Sequence, residues 1–465
     1  MYFCSMKSKM TDFNLFYTLC FPVVQFATLC HYRRIGIKGK DNIPDDGKYI
    51  LAPCHQNALM DPLVVLYMEN KPVVFLARAD IFKKPVARLL LTWLRISPVY
   101  RIRDGRDQLS NNEAIFNTAR QVVEEGMPLC LMAEGRHNNR HHLLQMGKGM
   151  FRIAGETQLK LGDHPLYIVP TGIDFDEYER PYSNLVVNIG KPIPVQPFIK
   201  DFRENEPVAL NEMREALSTA LSPLMHDIRD EEHYEEIFTL CNVLNREVRH
   251  REGLKNSAWN RFLVRQKISR ELDRRAVEHN ADFDTLMSDT RSYQQQCRRL
   301  RLRERMEADH WNVATTILSV IPIGALLAGV IALPPVRWIF FFWLICYPIP
   351  FLPTHLLTKK LIGDSQFRSS VNFGIRLILS IIYAIVIGIV MACTGGAWMS
   401  NLADIGAWWG LIAVALLHIE AILAGPTVNA LKAIGRNMRY WWLRIVRCKK
   451  MKALNDSYRK LVGSF

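Results

Sequence analysis

Tyr49-Ile50-Leu51-Ala52-Pro53-Cys54-His55-Gln56-Asn57-Ala58-Leu59-Met60-Asp61-Pro62 is the stretch on which the fold turns. Residues 49–52 are apolar and too few for a helix, so they read as a buried strand. The polar residues begin where that strand ends, and a histidine and an aspartate stand close together there. An imidazole held by a carboxylate takes a proton from a hydroxyl and returns it to a leaving group. The carboxylate fixes the tautomer and stabilises the imidazolium. Cys54 is adjacent, but on extended backbone its side chain points away from that of His55.

Outward from this motif, residues 35–200 alternate short apolar runs with helical patterns. Residues 73–76, 129–132 and 167–171 join 49–52 as expected strands. Residues 111–125 read as an amphipathic helix that Gly126-Met127-Pro128 stops. The alternation predicts an α/β domain, a mixed sheet covered by helices. Residues 205–310 are dense in mixed charge and carry helical periodicity, with helices expected over 210–225, 231–249 and 258–277. Residues 12–31 are apolar and aromatic, interrupted by Pro22 and followed by Tyr32-Arg33-Arg34. That length is marginal for a bilayer crossing and reads as a helix lying in the leaflet, arginines at the headgroups.

Residues 311–430 hold four apolar segments, about 312–333, 338–357, 373–394 and 405–427, each long enough to span the hydrocarbon. Lys359, Lys360 and Arg368 follow the second, the loop after the third has no lysine or arginine, and the tail is rich in both. The positive-inside rule then puts the α/β domain, the second loop and the tail in the cytoplasm. The first pair is proline-rich, and a re-entrant hairpin is the alternative there, with the same sidedness. The expected order is a membrane-associated helix (1–34), the α/β domain (35–204), a charged helical segment (205–310), about four transmembrane helices (311–430) and a basic tail (431–465).

The chain of 465 residues carries a net charge of +14, which favours an anionic partner. The basic run at 298–305 precedes the apolar block and suits anionic lipid; no nucleic-acid partner is expected. Arg376, His418 and Glu420 are read as snorkelling side chains, not a transport path. The ten cysteines are scattered without paired spacing and read as free thiols.

Further motifs follow in order. Ser97-Pro98-Val99-Tyr100-Arg101-Ile102-Arg103-Asp104-Gly105 carries arginines whose forks suit a phosphate. Ala133-Glu134-Gly135-Arg136-His137 sits where a strand end opens into a loop. Gly147-Lys148-Gly149 lets a ligand approach the backbone, with one lysine beside it. Val169-Pro170 ends another strand. His137, His141 and His142 lack the regular spacing of a metal site, so neither a metal nor an organic cofactor is expected.

In this order the motifs resemble those of the glycerophospholipid acyltransferases, the lysophosphatidate and glycerol-3-phosphate acyltransferases. The resemblance rests on His55 to Asp61, Val99-Tyr100-Arg101, Ala133-Glu134-Gly135 and Val169-Pro170, and spans about residues 35–200. The glycerol-3-phosphate/dihydroxyacetone-phosphate branch of yeast and bacteria is the more similar. It shares the five-residue gap between His and Asp, a Pro-Val-x-Arg-x-x-Asp-Gly run, a helical insert and a C-terminal membrane block. Three positions depart from the commoner pattern. The gap is five residues where four is usual, Ala133 stands for proline, and Arg136 comes one place early.

The resemblance implies direct transfer of a fatty acyl group from acyl-CoA or acyl carrier protein to a hydroxyl of glycerol-3-phosphate. His55 would be the base and Asp61 its orienting partner. Arg101, Glu134, Gly135, Arg136 and Lys148 would hold the acceptor, and backbone N–H groups of the His55 loop are candidates for the tetrahedral oxygen. The protein is expected to sit in a bilayer with its catalytic domain cytoplasmic, in a bacterial inner membrane or, in a eukaryote, the endoplasmic reticulum. A lysophosphatidate, other lysolipid or aminolipid acceptor stays open. So does a non-catalytic scaffold or lipid transporter built on the same domain.

Overall fold

The computed structural model describes residues 10–99, 110–132, 134–179, 183–278, 281–304, 367–375 and 437–465, with 377–379, 382, 385 and 435 besides. Two compact units emerge. The first comprises residues 1–178 and 184–227, the second residues 179–183 and 228–465.

The first unit is built on a mixed sheet, eight strands among the described residues. They are β1 (Arg34–Lys38), β2 (Tyr49–Pro53), β3 (Val74–Arg78), β4 (Ile96–Val99), β5 (Leu129–Cys130), β6 (Tyr167–Phe175), β7 (Asn184–Ile189) and β8 (Ile193–Pro194). The order is β1-β7-β6-β2-β5-β3-β4, with β8 paired to β6. All pairings are parallel except those of β6 with β7 and β8. β2 lies between β6 and β5, with Tyr49 opposite Tyr167 and Ile50 opposite Leu129. All five of its residues are buried, as a strand covered on both faces requires. The residues after Pro53 therefore emerge at the carboxyl end of a central strand, where open sheets hold their ligands.

Helices close the sheet. They are α1 (Leu15–His31), α2 (Met60–Met68), α3 (Pro85–Trp93), α4 (Ser110–Glu124), α5 (Gly149–Leu161), α6 (Ile199–Glu204) and α7 (Glu206–Leu221). The Asn14 side chain caps α1 by accepting from the Tyr17 amide, and the helix runs on past Pro22. Asn14 also donates to the Trp93 carbonyl, and the Phe16 and Trp93 rings meet at 5.3 Å. The Arg95 guanidinium, itself buried, donates to the carbonyls of Met10 and Asp12. After α7, a short turn over Ser222–Leu224 lies directly on β6. A Cβ at Gly172 would stand 2.2 Å from the Leu224 carbonyl, so only glycine admits this approach.

The second unit is helical: α8 (Tyr234–Val243), α9 (Asn245–Arg251), α10 (Ala258–Val277), α11 (Ala281–Leu300) and a C-terminal helix, Cys448–Gly463. The break between α8 and α9 interrupts the single helix expected over 231–249. Ser257 caps α10 through the Asn260 amide. One apolar cluster joins these helices, with Ile237, Leu272, Tyr293 and Leu461 fully buried. The end of the basic tail thus folds as an amphipathic helix against α11, tied by Lys460 to Asp289 at 2.7 Å. The four apolar segments expected between 311 and 430 lie outside the described residues, apart from a few positions of the third. Among the described residues no helix is long and apolar enough to cross a membrane.

Candidate active site

The loop between β2 and α2 brings His55 and Asp61 together. His55 Nδ1 lies 2.9 Å from Asp61 Oδ2. The amides of Gln56 and Asn57 donate to the same oxygen at 2.9 and 2.8 Å. The five-residue gap is absorbed by a tight turn, with Ala58 at φ 43° and the Met60 amide donating to the Asn57 carbonyl at 2.8 Å. Asp61 has no exposure, and the His55 side chain has 15%. A carboxylate oxygen that already accepts two amides requires a donor from the imidazole, so Nδ1 carries the hydrogen. Nε2 is left with its lone pair. The pair is thus a base held in one tautomer at the mouth of a strand.

Glu134 completes this arrangement from the neighbouring strand end. Its Oε1 accepts from the His55 amide at 2.8 Å and its Oε2 from the Leu144 amide at 3.1 Å. Burial raises its pKa to about 8 against the pull of those two amides. Both oxygens are spent on backbone, so Glu134 clamps the His55 loop to the segment before α5. Gly135 follows in a left-handed turn, φ 63°, and is exposed, as is Arg136. Lys148 is exposed at the start of α5. Arg101 and Ala133 lie outside the described residues. Of the expected site residues, then, His55, Asp61 and Glu134 converge, while Gly135, Arg136 and Lys148 face solvent around them.

The amides of His55, Gln56 and Asn57 are directed at Glu134 and Asp61. They are therefore not the donors for a tetrahedral oxygen, because an N–H pointed at an internal carboxylate does not also point outward. Cys54 is no rival nucleophile. Its Sγ contacts the Ile173 carbonyl and amide at 3.3 and 3.1 Å, and burial pushes its pKa well above the thiol range.

Two further residues belong to the site. The His137 ring stands edge-on to that of His55, centroids 5.2 Å apart. Tyr178 donates to Gln56 Oε1 at 2.7 Å, while its carbonyl accepts from Asn57 Nδ2 at 3.3 Å. Both brace the turn that carries His55. In the sequence His137 stood at the end of the Glu134 motif and in a loose histidine cluster, with no role assigned to it, and nothing at position 178 signalled a role 121 residues from Asn57.

The family described as Acyltransferase matches residues 34–174. These residues are an acyltransferase domain. The family expected from the four motifs is borne out, and the match begins and ends within the first unit. The solved structure of the 1-acyl-sn-glycerophosphate (LPA) acyltransferase PlsC from Thermotoga maritima is similar at 18% identity. The likeness covers 44% of this chain and 80% of that one, with a TM-score of 0.32. No curated protein matches this sequence. In the acyltransferase domain the His55–Asp61 pair is the group equipped to move a proton at a hydroxyl.

Proposed function

We propose that the protein transfers a fatty acyl group from acyl-CoA or acyl carrier protein to a hydroxyl of glycerol-3-phosphate, at the surface of a membrane. The observation that carries this reading is the 2.9 Å contact between His55 and the fully buried Asp61. Nε2 of His55 takes the hydroxyl proton as the oxygen attacks the thioester carbonyl. The tetrahedral intermediate collapses with cleavage of the C–S bond. The imidazolium, stabilised by Asp61, returns its proton to the departing thiolate. The products are an ester and a free thiol. Arg101, with Arg136 and Lys148, holds the acceptor phosphate, for which guanidinium forks are suited.

The membrane part of the reading draws on α1 and α3. Phe13 just before the first, Leu15, Leu19 and Val23 within it, and Leu89, Leu90 and Trp93 of the second, are exposed. Apolar side chains on two touching helices, with exposed Lys83, Lys84 and Arg88 beside them, suit insertion among anionic lipids. This favours a helix lying in the leaflet, with a lipid product released where it is made. A lysophosphatidate acceptor is the second reading, since the same proton transfer serves it.

The test is purified protein in lipid with labelled acyl-CoA or acyl carrier protein, offered glycerol-3-phosphate, lysophosphatidate and other lysolipids in turn. Acylated glycerol-3-phosphate is expected. Turnover of lysophosphatidate alone would move the acceptor to the second reading. No ester with any acceptor would leave the scaffold reading standing.

A further inference from the structure

Behind the catalytic loop, on the same unit, lies a second group of titratable side chains that acyl transfer does not use. His141 comes from the segment after the Glu134 clamp, Asp174 from β6, and His226 from the segment that follows the turn over Gly172. All three are buried, at 0, 1 and 0% exposure. His141 Nδ1 is 3.3 Å from Asp174 Oδ1, and the two imidazole rings lie 4.7 Å apart. One nitrogen of each histidine and one oxygen of the aspartate all fall within 4.8 Å of one another. Gly172 and Asp174 share a face of β6. The close approach that glycine permits at 172 therefore delivers His226 onto the face that carries Asp174.

We propose that His141, Asp174 and His226 bind a divalent transition metal, zinc by the chemistry of the set. Two imidazoles and a carboxylate are a recurrent zinc donor set, and no thiolate is present to favour a softer ion. Zinc–nitrogen and zinc–oxygen bonds of about 2.0–2.1 Å set tetrahedral ligand atoms roughly 3.3 Å apart. The His141–Asp174 separation already has that value, and His226, whose ligand nitrogen lies within 4.8 Å of the other two atoms, has to close in by at most about 1.5 Å.

The position of the site gives it a structural part. The three ligands come from chain segments far apart in sequence, and a metal fastens them to one point beside β6. The His141 and Tyr178 rings lie 4.8 Å apart, and the Tyr178 hydroxyl donates to Gln56 in the His55 loop. A metal that holds the His141 ring in place therefore supports the catalytic loop through this ring contact, without touching the reacting atoms. It differs from the sequence expectation of no metal because its ligands are 141, 174 and 226. Only one of the three stands in the histidine run 137–142.

The test uses the full-length protein, stripped with chelator and then titrated with zinc or cobalt. Bound metal is counted by mass spectrometry, the thermal midpoint is followed, and cobalt is read by its visible ligand-field bands. We expect one ion per chain, a midpoint raised by several degrees with metal, and cobalt bands of tetrahedral intensity. The near-isosteric D174N, and H226Q separately, should lose the stoichiometric ion and the metal-dependent rise while keeping their far-ultraviolet circular dichroism. A wild-type chain that binds no ion overturns the proposal whatever the variants do. So does an ion that D174N and H226Q retain with undiminished affinity, which would be held at surface histidines.

Discussion

In the sheet unit, Asp61, Glu134, His141, Asp174 and His226 all have 5% exposure or less. In the helical unit, several pairs of opposite charge meet at the surface. Glu271 pairs with Arg274 and Arg275, and Lys267 with Glu252. The helical unit buries charge as well, Arg265 at 2% exposure, Arg249 at 7% and Glu236 at 8%; what sets the sheet unit apart is that its buried groups are gathered, His55 against Asp61 and His141 against Asp174. Burying a titratable group is costly and persists where the group has work to do, whereas exposed pairs contribute little to stability and need no special purpose. The gathering of buried titratable groups at the strand ends agrees with the motifs, and both lead to His55 and Asp61.

The largest expected effect tests this directly. His55→Ala should abolish acyl transfer, and Asp61→Asn should lower turnover by about 10³-fold or more, because Asn leaves the imidazole in the wrong tautomer. Steady-state kinetics on membrane-reconstituted protein would check both, with membrane association unchanged. Full activity in the Asp61→Asn enzyme would mean that the 2.9 Å contact has no chemical role.

Next comes the apolar core of the helical unit. Leu272 is fully buried among Ile237, Leu240, Ile268 and their neighbours. Leu272→Ala should cost about 2–5 kcal/mol in stability, read as a fall in the thermal midpoint, while activity measured well below that midpoint persists. Equal loss of activity and stability would erase the division of labour between the units.

How much of this was legible in the sequence follows from the range of the contacts. His55 and Asp61 are six residues apart, and a strand end followed by a long gap was enough to pair them. Strands β2, β3, β5 and β6 were legible as uninterrupted apolar runs, and α10 was read with its observed bounds. β1 and β7 were not. Arg34–Lys38 is a short run with charged ends, and its pairing with β7 is set about 150 residues away. The clamp of Glu134 on the His55 amide and the meeting of His141, Asp174 and His226 were equally out of reach. Both are decided by sheet order and by the space at Gly172. Glu134 was read as an acceptor ligand, and its two backbone partners emerge only from the fold.

Glu134 gives a smaller, pH-dependent effect. Burial raises its pKa to about 8 from an ordinary 4.5. The folded state therefore holds the proton more tightly than the unfolded chain. That contribution is full below about pH 4.5 and is lost as pH rises through about 8. The thermal midpoint should decline across that window, and Glu134→Gln should flatten the decline because it has no proton to lose. Parallel profiles for the two proteins would show that desolvation at this position does not govern stability.

The smallest effect belongs to the exposed network. Two arginines hold the pKa of Glu271 down to about 2, and the sign is opposite to that of Glu134. A depressed carboxyl contributes stability above its ordinary pKa and loses it as pH falls toward 2. Glu271 and its arginines are open to solvent, where screening and side-chain entropy reduce such pairs to about 0.5 kcal/mol. Glu271→Gln should therefore shift the midpoint at neutral pH by about a degree or so, and less in high salt. A loss as large as that of Leu272→Ala would show that surface charge does structural work in the helical unit. The small contribution expected of exposed ion pairs would then not hold in that unit.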